Sequence, residues 1–144
     1  MYNKSMDTII SFVKLYLSGL LTIIIHLIGG IDIAIITLMT FLVLDYITGM
    51  AKAYQSKSLN SNAGFKGVVK KFGELVVVMV GVGIDNFMQT GGFMRELVIY
   101  YLVLTEALSI IENHGSLGVP FPKKLKDALE QLREEKQSLT TKEE

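Results

Sequence analysis

Three acidic residues, Asp45, Asp85 and Glu106, stand inside long apolar runs, and Glu112 stands near the end of one. A charge at the centre of a bilayer costs about 3 kcal/mol on insertion scales. Such groups therefore face protein or water and mark a polar pathway or an assembly contact. The plainer reading is a carboxylate near a helix end that reaches headgroups. That reading weighs on Asp45 and Asp85, each within a turn or two of a loop. It weighs less on Glu106, which is preceded by apolar sequence from Leu97 onward. Each acid shares a helix face with small or polar neighbours. Asp45, Thr48, Gly49 and Lys52 fall at i, i+3, i+4 and i+7. Glu74, Gly81 and Asp85 share a second face, and Thr105, Glu106, Ser109, Glu112 and Asn113 form a third stripe. Small and hydroxyl residues let membrane helices approach and hydrogen-bond. The stripes read equally as packing seams of a monomer and as faces turned to partners or to water.

No catalytic chemistry is visible. There is no Cys, which excludes disulfides, thiolate metal sites and thiol catalysis. There is no glycine-rich phosphate loop, no H-E-x-x-H and no nucleophile elbow. His26 and His114 lie far apart without metal-ligand spacing, and Asn113 and Gly115 around His114 suggest a solvated helix end. Neither a metal, a cofactor nor an enzyme activity is expected. The formal net charge is +0, so no overall field points to nucleic acid.

The elements that must position these residues are apolar helices. Half of the 144 residues are hydrophobic, 19% are charged, and the mean hydropathy is +0.43. A soluble domain of this size carries more charge. Four segments stand out: Ile9 to Ile28, Ile31 to Met50, Phe72 to Met88 and Leu97 to Ile111. A spanning helix needs about 20 residues. The second segment meets that alone, and the third and fourth with their flanks. The first is long enough, but Asp7, Ser11, Lys14 and Ser18 make a polar stripe over its first half, which also suits a helix lying in the interface. Gly29-Gly30 leaves room only for a tight turn. A cleaved signal peptide is disfavoured, because Lys14 abuts the apolar core and no A-x-A-like site follows. A soluble parallel sheet built on runs such as Val76 to Val80 lacks the charged helices that would cover it. Trp is absent, so an interfacial aromatic belt would rest on Tyr.

Basic residues set the orientation. Ala51 to Lys71, read as a loop, holds Lys52, Lys57, Lys66, Lys70 and Lys71 and no acid, so it is expected in the cytoplasm. Gln89 to Glu96 holds only Arg95 and is expected outside. The tail brings Lys123, Lys124 and Lys126 to the cytoplasmic side. The N-terminus is cytoplasmic if the first segment spans, and external or interfacial if it does not. Val119-Pro120-Phe121-Pro122 cannot be helix interior. Beyond it, Leu125, Ala128, Leu129 and Leu132 mark a short amphipathic helix over about 123–136, and Ser138 to Glu144 is polar and expected to be disordered.

The expected fold is therefore all-α. A membrane domain, 1–118, holds helices at about 7–28, 31–53, 70–89 and 95–113. The last three span the bilayer, and the first is a fourth membrane or interfacial helix. A cytoplasmic tail, 119–144, carries the amphipathic helix.

Several motifs carry a family resemblance. Leu44-Asp45-Tyr46-Ile47-Thr48-Gly49 followed by Ala53 resembles the first-span motif of the phage-lysis and clostridial toxin-secretion holins. Leu59-Asn60-Ser61, Gly64-Phe65-Lys66-Gly67 and Lys70-Lys71 resemble that family's basic loop, and Asp85 its second-span aspartate. Glu106-Ala107-Leu108-Ser109-Ile110-Ile111-Glu112-Asn113 resembles its last-span signature, and Gly118-Val119-Pro120-Phe121-Pro122 with Leu125 and Leu129 its tail. The likeness runs in order from Leu44 to Leu132, while Met1 to Gly30 carries no such motif. It implies a non-enzymatic, multi-pass protein of the bacterial host's cytoplasmic membrane. Such a protein's partners are the lipid bilayer and further copies of itself. It oligomerises and permeabilises the membrane, so that a cell-wall hydrolase (a phage endolysin) or a toxin escapes without needing direct contact. The rivals are a small ion or proton transporter that relays protons through Asp85 and Glu106, and a structural or antiholin membrane subunit. Transporters more often show repeated halves with broken helices, and no internal repeat is visible here.

Overall fold

The computed structural model describes residues 2–141, with side chains at 6–62, 64–128, 130–132 and 134. These residues form five helices and no strand: α1 (Tyr2–Leu27), α2 (Ile33–Gln55), α3 (Ser61–Met88), α4 (Phe93–Ser116) and α5 (Lys123–Thr141). The helix boundaries follow local chemistry. Gly29 and Gly30 take positive φ (78° and 96°) and end α1, and the Gly30 amide bonds back to the Ile25 carbonyl at 2.8 Å. Asp32 then caps α2, its carboxylate accepting from the Ile35 amide at 2.9 Å. Gly91 and Gly92 turn α3 into α4 with φ of 67° and 96°.

The α4 helix is the hub, packing on α2, α3 and α5. Ile35, Leu38 and Leu42 of α2, Val78 of α3, and Ile99 and Leu102 of α4 form the core. By contrast α1 contacts α3 and no other helix among the described residues.

The distribution of side chains is inverted relative to a water-soluble bundle. Asp45, Glu74, Asp85, Arg95, Glu106 and Asn113 are buried, whereas Leu15, Ile33, Ile47, Phe72 and Val80 are exposed, and Phe87 is 90% exposed. Large contiguous apolar surface of this kind marks a lipid or protein contact. Two stretches, Met6–Leu27 in α1 and Ile33–Gln55, are long and apolar enough to cross a membrane, and the apolar window of the first is 0% buried.

Three expected boundaries move. The long loop of 51–71 shrinks to 56–60, because α3 begins at Ser61. Phe65, Val68, Val69 and Phe72 already recur at helical spacing there, so the apolar period wins over the local lysine density. The first helix starts at Tyr2 rather than near residue 7. Residues 138–141, expected to be disordered, continue α5; residues 142–144 and the Leu129 side chain lie outside the described residues.

Candidate functional site: an ionic seam and an end brace

The seam forms where the polar stripes of α2, α3 and α4 converge. Lys71 lies on α3 with its side chain largely buried, and its Nζ approaches Asp45 Oδ2 on α2 at 2.6 Å. It also pairs with Glu106 on α4, which is 0% exposed. One turn along α3, Glu74 comes to 3.8 Å from Lys71 and 3.7 Å from the exposed Lys70. Toward the end of α4, Asn113 donates to Asp45 Oδ1 at 3.1 Å and to the Thr48 hydroxyl at 3.2 Å. Ser109 of α4 lies beside Asp45.

Three buried carboxylates thus surround one largely buried lysine, with Lys70 at the rim. Burying charge is costly unless every lone pair is matched. Here Glu74 Oε2 and Glu106 Oε1 are buried without a hydrogen-bond partner. The seam holds the helices together and still leaves oxygen atoms that water or another chain could satisfy.

Close approach helps to position it. A methyl group on Gly67 would lie 3.1 Å from the Tyr46 ring, so the bare backbone lets Tyr46 of α2 lie against α3. Gly49 faces Asn113, where an added carbon would make an ordinary 3.6 Å contact.

The brace closes the opposite end of the bundle. Asp85 near the end of α3 accepts from the amides of Met94 (2.9 Å) and Arg95 (2.8 Å) and from the Thr90 hydroxyl. It caps the first turn of α4, whose own N-cap residue, Gly92, has no side chain to do so. Arg95 then donates to the carbonyls of Ile28 (2.7 Å) and Gly30 (3.3 Å) and to Asp32 Oδ2 (2.6 Å). The guanidinium holds the Asp32 carboxyl below the usual carboxylate range. Gly29 and Gly81 make room: a Cβ on Gly29 would meet Arg95 side-chain atoms at 2.7 Å, and one on Gly81 the Arg95 backbone at 3.2 Å.

Asp45, Thr48, Ser109, Asn113 and Glu106 therefore gather in one seam, while Asp85 belongs to the brace. Glu112 joins neither. It is half exposed and 3.9 Å from Lys126 of α5. Lys52, Lys57, Lys66 and Lys70 are exposed near the seam end. Lys71, expected in the loop beside them, is instead the seam's cation, because α3 carries it one turn inward of Gly67. Arg95 and Asp32 were not singled out. Their partners lie 63 residues apart in sequence, beyond the reach of any helical period.

Comparison with known proteins bears on what such a bundle is for. Residues 22–134 match the model of the bacteriophage holin family. The chain belongs to that family. A 14.9 kDa uncharacterized protein from the nagH 3′ region of Clostridium perfringens is 43% identical to this holin-family chain over 91% of the chain and 100% of the relative. An uncharacterized protein of Listeria monocytogenes is 34% identical over 72% of the chain and 74% of the relative. A probable holin of Bacillus phage phi105 is 32% identical over 69% of the chain and 74% of the phage protein. No solved structure matches. Family membership gives a holin role in general terms and points to no enzymatic family. The matched region takes in the seam, the brace and the tail as far as residue 134.

Proposed function

We propose that this protein is a holin that accumulates in the host cytoplasmic membrane, self-associates, and opens the membrane so that a cell-wall hydrolase or a toxin can leave the cell. In this reading α1 to α4 all cross the bilayer. At 1.5 Å per residue each is longer than the roughly 30 Å hydrocarbon core. The brace brings the α1–α2 and α3–α4 turns to one end, which faces out, and the start of α1, the tail helix α5 and the exposed Lys52, Lys57, Lys66 and Lys70 face in.

The observation that carries the reading is the inverted packing, with a charged seam inside and an apolar surface outside. A folded monomer of this kind dissolves in lipid, because its charges are enclosed between helices and grouped around Lys71. The seam lies about 20 Å from the outer ends of α2 and α4, within the hydrocarbon region. When copies crowd together, exchange of the contacts within one chain for contacts between chains and water turns the same polar faces toward a hole. The oxygens of Glu74 and Glu106 that lack a hydrogen bond favour that exchange. No active site is required.

The test is inducible expression with dye entry and release of a co-expressed cell-wall hydrolase followed together. Abrupt entry of large dyes with hydrolase release supports the reading. A selective ion leak without protein release would instead favour a transporter, and protection against a second holin would favour an antiholin.

A further inference from the structure

Between the last turns of α2 and α4 and the start of α5, a cleft of about 760 Å³ opens beside the seam end of the bundle. Lys52 from the last turn of α2, Lys123 and Lys126 from the start of α5 and one carboxylate, Glu112, line it, with apolar walls from Ile111, Val119 and Phe121. Val119 and Phe121 are exposed. The volume is in the range of ligand sites, and the lining pairs cations with apolar surface.

The start of α5 is electrostatically incomplete. Lys123, Lys124 and Lys126 crowd its first turn, with no acidic residue there. The N-terminal end of a helix dipole is already positive, so these lysines raise the energy of the helix end unless an anion neutralises them. From α4, Glu112 comes to 3.9 Å from Lys126, which is beyond hydrogen-bonding distance. Glu130 pairs with Lys126 from the next turn at 3.6 Å.

We infer that this cleft binds the phosphate group of an anionic phospholipid, with Lys52, Lys123 and Lys126 on the phosphate and Val119 and Phe121 against the upper acyl chains. The inference rests on the membrane placement proposed above, which puts the cleft at the cytoplasmic headgroup level. A lipid, rather than free phosphate, is the ligand because the cations stand beside an exposed apolar lip that free phosphate would not use. Occupancy ties α5 to the membrane surface and to the ends of α2 and α4.

The test uses the full chain in nanodiscs of phosphatidylcholine with or without phosphatidylglycerol, and native mass spectrometry to count retained lipids. The native chain should retain phosphatidylglycerol over phosphatidylcholine. The Lys123→Gln/Lys126→Gln variant should lose that preference by on the order of tenfold. Glu112→Gln, which removes the competing carboxylate, should strengthen it. Lys57→Gln/Lys66→Gln, which removes equal charge outside the cleft, should keep it. Equal losses in both lysine pairs would overturn the site in favour of general surface charge. Displacement of the lipid by millimolar inorganic phosphate would overturn the lipid as ligand. Retention is read without lysis, so a chain that permeabilises cells yet shows no lipid preference refutes the cleft alone. A chain with the preference that never permeabilises refutes the holin mechanism alone.

Discussion

Lys71 Nζ on α3 and Asp45 Oδ2 on α2 meet at 2.6 Å inside a bundle whose outer surface is apolar. The pair is the point at which three helices with polar stripes become one unit. Lys71→Met should destabilise the bundle by about 3–5 kcal/mol, because it leaves buried carboxylates without their cation. Lys71→Arg should cost less. Adding Asp45→Asn to Lys71→Met should restore part of the loss. Denaturant unfolding in detergent micelles measures these variants and Asp45→Asn alone, and additivity of Lys71→Met and Asp45→Asn would mean that the residues act independently.

Glu106 pairs through one oxygen and has the other unpartnered. Glu106→Leu should insert normally, pack at least as tightly, and delay or abolish lysis, since the inward face no longer gains from water. Glu106→Gln should shift timing less. Lysis curves and cross-linking decide. Wild-type timing with identical cross-links would make Glu106 a tolerated polar residue.

The brace has a pH dependence of definite sign. Bonding to Arg95 depresses the Asp32 carboxyl below its unfolded value of about 3.9. The contribution of the pair is therefore complete above that value and is lost as pH falls through the lower folded value. Spin labels at Ile31→Cys and Phe93→Cys should report one narrow distance from pH 8 to pH 5, with broadening only in stronger acid. Arg95→Gln should broaden it at every pH. Broadening of the native pair between pH 7 and pH 5 would mean that another group controls the turn.

Much of the seam was legible in the sequence. The i, i+3, i+4 recurrence that put Asp45 with Thr48, and Ser109 with Glu106 and Asn113, is a property of one helix, and the structure keeps those faces. The family resemblance over 44–132 likewise falls within the matched region of 22–134. What was not legible is pairing between helices. Lys71 read as one of several loop lysines because charge density hid the apolar period that starts α3 at Ser61. Arg95 read as a lone outer charge, although it binds the α1–α2 turn, because no local pattern reveals contacts 63 to 67 residues away. The roles of Gly29, Gly67 and Gly81 are visible only once the neighbours that press on them are known.

The proposed orientation puts the short 56–60 connection, which holds Lys57 and precedes Lys66, on the cytoplasmic side, so Ser58→Cys should resist an impermeant thiol reagent applied to intact cells before lysis. The chain has no native Cys to confuse the result. Labelling in intact cells would reverse the orientation.

The central claim is that the seam is closed in the accumulating protein and faces water in the open lesion. Gly49→Cys puts its Cβ in ordinary contact with Asn113, at 3.6 Å. Reaction with a small membrane-permeant maleimide is limited by hydration of the thiolate rather than by the membrane. Labelling followed through induction should be slow until lysis and rise sharply with dye entry. A thiol that reacts freely from the start, or stays protected while the membrane opens, would contradict the account.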